Sequence, residues 1–441
     1  MGNKFVMVGG GSTQSPGILE VLRKRATELN LTELVLYDND EKRVSLLGQY
    51  TEMYYKETGS KVNVSYTTNL DEAFYKADFL FLQIRPGLNK QRAIDEKICL
   101  SHGVVGQETC GIGGFSFAMR VIPAVLEIIQ KVKEICPDAW ILNYTNPEAI
   151  LSEAIYKEFP EAKVLCICDM PISIEGAIAK YFGKEHKDLT FKYFGLNHFG
   201  WWTNIIDENG VDLLPQLRTD VLSGKIDTLL MSNEETEGDQ YWIDTYRQMI
   251  SLFKRFPEYF PNCYLQYYLT PDEMIEHDNV KFTRGDYVMQ GREKHIFEEC
   301  ERVIEVGTAK DSKLHAGVHG NYIVDIAYAI IHNTRERFVV NKKNHGAISN
   351  FDPEAVVELP AYIGSSGAET INIGEIPTFQ KGLMEMQKAY EQKTVETALT
   401  KSYQSAIEAV MLNKTIPNYT VGKKVLDELY TVNKEYWGVL R

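Results

Sequence analysis

The segment LCICDMP (165–171) closes an aliphatic run with a thiol, a carboxyl group and a proline. A deprotonated Cys168 is a soft metal ligand, and Asp169 beside it is a candidate proton donor. A second segment, GLNHFGWW (195–202), sets His198 between a glycine-bounded turn and aromatic side chains. Taken alone, His198 reads as a satisfied structural histidine and Cys168 as a small buried hydrophobe. Both, however, follow expected strands of one sheet, and ligands gather beyond the carboxyl ends of such strands. Together they could form a two-ligand metal site with positions left open. A thiolate and an imidazole suit zinc, whereas open positions filled by oxygen ligands suit manganese. Asp169 has a competing role, capping the helix that PISIEGAIAKYF opens. NYTNPEA (143–149) repeats the layout, so Asn143 and Asn146 either cap a helix or reach a ligand.

The other chemical signal is MVGGGSTQSPG (7–17), between a first strand and a first helix. Glycines 9, 10 and 11 let the backbone approach a pyrophosphate, with Ser12 and Thr13 at the turn and helix N–H groups beyond it. Gln14 stands where a dinucleotide fingerprint has its third glycine. Asp38 ends the second strand, where a carboxylate can hold a ribose hydroxyl and repel a 2′-phosphate, so NAD is expected over NADP.

These residues need a sheet to position them. FVMV (5–8), ELVLYD (33–38), FLFL (79–82), WILN (140–143) and KVLCIC (163–168) read as buried strands. Helical patterns separate them, one at 119–132, and Ser15 and Pro16 suit an N-cap and first helical position. The alternation predicts an α/β fold with a parallel sheet covered on both faces, running to about residue 195. Beyond it come an aromatic-rich stretch, strand-like RFVV (337–340) and AVVEL (355–359), a helix at 322–333 and a long helical tail from Phe379. Two tightly joined domains, 1–195 and 196–441, are expected, with a ligand cleft between them.

Composition narrows the function. The net charge of −14 argues against a protein that coats nucleic acid, yet leaves room for a small anion held by local arginines. No apolar stretch reads as long enough to span a bilayer. The N-terminus enters a strand at once, without the layout of a signal peptide. The seven cysteines are therefore expected as reduced thiols in the cytoplasm.

VGGGST, GVVGQETCGIGG (103–114), NYTNP, CDMP and GLNHFGWW together resemble the family-four glycoside hydrolases, as do NCYLQYYLTPDEM (262–274), TRGDYVMQGRE (283–293) and IPTFQKGLMEMQ (376–387). This family departs from two-carboxylate glycosidase chemistry. The resemblance implies a Rossmann-like N-terminal domain and a mixed α/β C-terminal domain, arranged as in lactate and malate dehydrogenases. It also implies a reaction: oxidation at sugar carbon 3, proton loss from carbon 2, departure of the glycosidic oxygen, addition of water and return of the hydride. NAD and a divalent metal, Mn2+ above others, are the implied cofactors. Cys168 and His198 match the family's metal ligands, Asp169 its proton donor and Tyr264 its base. A tyrosine near its ordinary pKa of about 10 is a poor base, so a metal or cation must lower it. Arg92 and Arg284 match positions around a substrate phosphate, and Asn146 and Glu108 match sugar-hydroxyl contacts. On residue type alone, Arg92 could equally pair with Asp95 or Glu96, and the tyrosines could be packing.

Asp after the metal cysteine resembles the subgroup acting on 6-phospho-α-glucosides; β-specific relatives tend to carry Asn there, and unphosphorylated α-glycosidases His. The implied partner is a phosphorylated disaccharide, and the implied assembly a homodimer or homotetramer, with no nucleic acid and no membrane. The glycine-rich segment 103–114 is expected as a mobile loop over the site. Competing readings are a 6-phospho-β-glucosidase, a hydroxy-acid dehydrogenase and a non-catalytic NAD sensor.

Overall fold

The computed structural model describes residues 2–228, 240–312, 314 and 319–441. Six parallel strands form its first half: β1 (Asn3–Val8), β2 (Leu31–Tyr37), β3 (Asn63–Thr67), β4 (Phe79–Leu82), β5 (Trp140–Asn143) and β6 (Val164–Ile167). The inner strands are continuous apolar runs because helices cover both faces. β3, not expected from the sequence, is NVSYT. As an edge strand it is half-buried and needs no such run.

The second half supplies β7 (Leu189–Leu196), β8 (Phe199–Asp207), β9 (Phe260–Pro261), β10 (Glu336–Lys343), β11 (Val356–Gly364) and β12 (Gly367–Thr370). The order is β3-β2-β1-β4-β5-β6-β10-β11-β7-β8-β9, with β12 on β11, so one sheet crosses the chain's midpoint. β10 and β11 are inserted antiparallel between β6 and β7. A division at 195/196 falls inside the β7–β8 hairpin, where Gly195 pairs with Gly200. Helices from the second half also return to the first. His319–His332 packs on Ser15–Lys24, and Lys294–Val306 on Glu41–Glu57.

Three local expectations are corrected. Ser15 is the first helical residue, not the N-cap, which is Gln14. The Ser15 hydroxyl instead donates to the Gly10 carbonyl (3.0 Å) and accepts from Gln83 (2.9 Å). The tail is three helices, Thr378–Thr400, Tyr403–Leu412 and Tyr419–Trp437, the first ended by Lys401 in the left-handed region. One helix, Gly111–Ile135, is long and apolar enough to cross a membrane, contrary to expectation. Its apolar window is 78% buried inside the protein, as in a core helix.

Residues 103–114 are not an open loop either. The Gln107 side-chain oxygen accepts from Thr109 N–H, Thr109 hydroxyl and Cys110 N–H, all within 2.7 Å. A Cβ on Gly114 would lie 2.2 Å from the Thr109 carbonyl oxygen. These glycines allow a buried turn to enter the core helix. Gly114→Ala should therefore cost about 1–3 kcal/mol in a denaturant titration, as overpacking does; an unchanged midpoint would count against it.

Candidate active site

The carboxyl ends of β1, β2, β4, β5, β6 and β7 lead into one cavity of about 1140 Å³. Every residue expected at the site lines it except Gly10 and Asn143, which is buried and donates to the Glu148 carboxylate at 2.7 Å. Gly10 lies beneath, where a Cβ would sit 2.8 Å from that of Leu36.

The glycine turn fits a dinucleotide. Gly9 has φ +85°, and a Cβ there would meet the Gln83 carbonyl at 2.2 Å. A Cβ on Gly11 would meet Asp38 Oδ2 at 2.9 Å. The glycines thus let the turn pack against Gln83 and Asp38, and Gly9 and Gly11 line the cavity. The Asp38 carboxylate accepts from Gly11 N–H (3.0 Å) and Asp40 N–H (3.1 Å), while burial pushes its pKa up.

Cys168 Sγ lies 3.5 Å from His198 Nε2. Two ligands about 2.3 and 2.1 Å from one ion, at a tetrahedral angle, would stand about 3.6 Å apart. Burial keeps His198 neutral, with a pKa of about 4, which leaves an imidazole lone pair to donate. Burial, then Asp169 and Glu358, push the Cys168 thiol well above its ordinary value. The Met170 N–H and the Asn197 side chain oppose this by bonding to the sulfur. A cation at the pair would overturn that balance, as it does for any coordinated thiol. Among the described residues no cluster of three or more His, Cys, Asp and Glu forms a fuller metal site. The donor pair therefore fits a divalent ion with open positions facing the cavity.

Asp169 occupies the N-cap position of helix Met170–Tyr181 but makes no side-chain cap. It lines the cavity instead, and after burial it is the main influence raising the Tyr144 hydroxyl. Tyr264 stacks on His198, ring centroids 4.0 Å apart. Burial pushes its hydroxyl well above 10, and nearby Tyr241 and buried thiols add to that. Tyr267 and Tyr268 do not line the cavity; the first bonds Tyr241 (2.9 Å) and the second packs edge-on to Phe199. Asn146 lines the cavity and accepts from Glu148 N–H at 3.4 Å.

Arg92 is buried and pairs with Glu96 (2.6 Å) and Glu108 (3.0 Å), not with Asp95. Asp95 turns to Arg120, Ser116 and Asn433. Arg284 stacks over Tyr241 and Tyr287. Glu108, expected at sugar hydroxyls, also pairs with Arg85.

A model described as "Family 4 glycosyl hydrolase" matches residues 4–184, and that of the family's C-terminal domain matches 193–416. The chain belongs to glycosyl hydrolase family 4. A 6-phospho-alpha-glucosidase of Leptotrichia buccalis is 46% identical over 441 residues, 99% of each chain. A 6-phospho-alpha-glucosidase from gut microorganisms, solved with NAD and Mn2+, covers 100% of both chains at 37% identity and TM-score 0.96. Another, solved with NAD and glucose-6-phosphate, does so at 39% and 0.95. Malate dehydrogenase of Plasmodium falciparum matches 90% of this chain and 99% of its own at 14% identity and TM-score 0.52. That likeness concerns the fold alone and bears out the dehydrogenase-like arrangement.

In this family-4 chain the cavity wall also holds Arg85 and Arg292, which the sequence reading passed over. Arg85 follows FLFL, the kind of strand end that singled out Cys168. Arg292 lies eight residues after Arg284, and its guanidinium faces the Gln14 amide oxygen at 3.2 Å once that amide is turned. Burial would raise Glu108, but Arg85 and then Arg92 outweigh it and hold its pKa at about 2. A carboxyl depressed below its unfolded value stabilises the fold above about pH 4.5, and that contribution is lost as pH falls toward 2. Glu108→Gln should therefore flatten the loss of stability between pH 4.5 and 2 in acid-unfolding curves; an unaltered slope would contradict the pairing.

Proposed function

We propose that the chain hydrolyses 6-phospho-α-glucosides such as maltose 6′-phosphate, releasing glucose 6-phosphate, with NAD and Mn2+ bound but not consumed. The observation that carries this is one cavity joining a dinucleotide turn, the Cys168–His198 pair and a wall of arginines. Family membership and the α-specific names of its relatives support the reaction and the linkage. Gly9, Gly11, Ser12, Thr13 and Asp38 would hold the dinucleotide, with Gly10 beneath, and Cys168 and His198 the metal. When bound, NAD supplies a hydride acceptor that later returns the hydride, and the metal supplies a Lewis acid.

The chain's own side chains do the rest. Arg92 and Arg284 hold the substrate phosphate, for which a guanidinium fork is suited. Asn146 and Glu108 orient sugar hydroxyls. Tyr264 takes the proton from carbon 2. Its hydroxyl needs positive charge close by, because burial alone works against the phenolate. Asp169, spared from capping, protonates the departing glycosidic oxygen. Division into a nucleotide-binding part and a substrate-binding part, a homo-oligomeric state and a cytoplasmic setting belong to the same reading. The described cysteines are free and buried, which suits reducing surroundings.

A chromogenic α-glucoside 6-phosphate incubated in heavy water should release its aglycone only with both NAD and Mn2+, leaving deuterium on carbon 2 of the product. Release without NAD, or product free of deuterium, would sink the mechanism; net NADH accumulation would favour a dehydrogenase. Asp169→Asn should lower kcat/KM for alkyl-type leaving groups about 100-fold, within the range of general-acid catalysis. It should spare activated aryl leaving groups. Equal losses on both would return Asp169 to a structural role.

A further inference from the structure

The turn that carries His198 meets a further group that the reaction does not call on. Glu358 lies on β11 opposite Gly195 of β7 and is 1% exposed. Its Oε2 accepts from the Tyr193 hydroxyl (2.5 Å), and its Oε1 accepts from Asn197 Nδ2 (2.8 Å). Asn197 is itself 5% exposed, and the turn it opens brings His198 Nε2 to 3.5 Å from the Cys168 sulfur. The next residue, His198, has φ +62°, a conformation that a side-chain-bearing residue adopts only when its surroundings impose it. One buried carboxylate therefore fixes the amide at the start of the turn that carries His198 to Cys168.

We propose that Glu358 is a positioning residue for the metal site: through Asn197 it holds the His198 turn in register with Cys168. The inference rests on Cys168 and His198 being the ligands. Glu358 itself touches neither metal nor substrate. Its hydrogen-bond partners are two neutral donors, so its place in the sheet is to orient, as the outer-shell groups of metal sites do. A purely structural carboxylate in the same place would affect every ligand of the cavity alike, whereas a positioning role acts on the metal first.

The full-length chain is titrated with Mn2+ alone, free ion being read by electron paramagnetic resonance, and NAD affinity is measured in parallel. Glu358→Gln and Asn197→Ala should each weaken Mn2+ binding about 10–100-fold, with NAD affinity within twofold of wild type. Should Glu358→Gln fail to fold, Asn197→Ala decides, since it leaves the carboxylate and its Tyr193 bond in place. Cys168→Ser separates the two levels of the argument. If it loses Mn2+ while both other variants retain wild-type affinity, the role of Glu358 is refuted and the ligand assignment stands. If Cys168→Ser binds Mn2+ as wild type does, the ligand assignment fails and this inference with it. Parallel losses of Mn2+ and NAD affinity would equally refute the positioning role.

Discussion

The contact between Cys168 and His198 depends on how the sheet is closed between β6 and β7. In sheet order three antiparallel steps separate those strands, so in a flat sheet their carboxyl ends would face opposite edges across a lateral gap of about 14 Å. The sulfur and the imidazole nitrogen are nonetheless 3.5 Å apart. The ladders explain the difference. β10 pairs with β11 along eight residues, but β11 meets β7 at the single pair Glu358–Gly195. β7 and β8 are therefore free to fold over the strand ends instead of continuing the plane. The turn Asn197–His198 then points back toward the end of β6. The same single pair carries Glu358, so the sheet's weakest ladder coincides with a buried carboxylate bound to both β7 and the turn. Insertion of two late strands thus shapes the site, and neither half of the chain could form it alone.

Burial sets the chemistry that follows. A thiol, an imidazole and a phenol share a dry wall, and desolvation drives each toward its neutral form. Neutral imidazole is what a metal requires; neutral thiol and phenol are not. Positive charge reconciles them, and it is the one ingredient these three side chains do not supply. Across the cavity the balance is reversed. Arg85 and Arg92 share Glu108, while Glu96 pairs with Arg92 and accepts from Gly285 N–H at 2.8 Å. The carboxylates hold the guanidinium forks in fixed positions, next to the start of the helix that carries Arg284. An acidic chain can in this way present an ordered cationic wall to a phosphate without an overall positive field.

Much of this was legible in residue pattern. Apolar runs located five of the six parallel strands, because a strand buried on both faces must be apolar throughout. β3 escaped because an edge strand faces no such demand. Cys168 and His198 were legible by type and by position after strands, but their meeting was not, since it needs β10 and β11 from far along the chain. Arg85 was hidden in plain sight: it follows FLFL, yet arginine after a strand is also an ordinary surface residue. Glu358 carried no signal at all, being a single acid in an apolar strand whose partners lie over 160 positions away. Glycines 106, 113 and 114 were misread as a lid. Glycine marks close backbone approach as well as freedom, and only packing distinguishes the two.

The role of Asp169 turns on where the first backbone donors of its helix go. An aspartate at a helix start ordinarily satisfies them. Here the second helical position is Pro171, which has no N–H, and the Ser173 N–H bonds the Asp169 carbonyl at 2.9 Å, so Ile172 N–H is the one donor a capping carboxylate could use. One of the two donors that would recruit the carboxylate is thus missing, and its side chain makes no cap. The order Cys-Asp-X-Pro has a physical logic. The proline removes one of the capping donors, and the acid before it faces the cavity. What reads in sequence as a capping acid is, in the fold, an acid whose side chain makes no cap and lines the cavity.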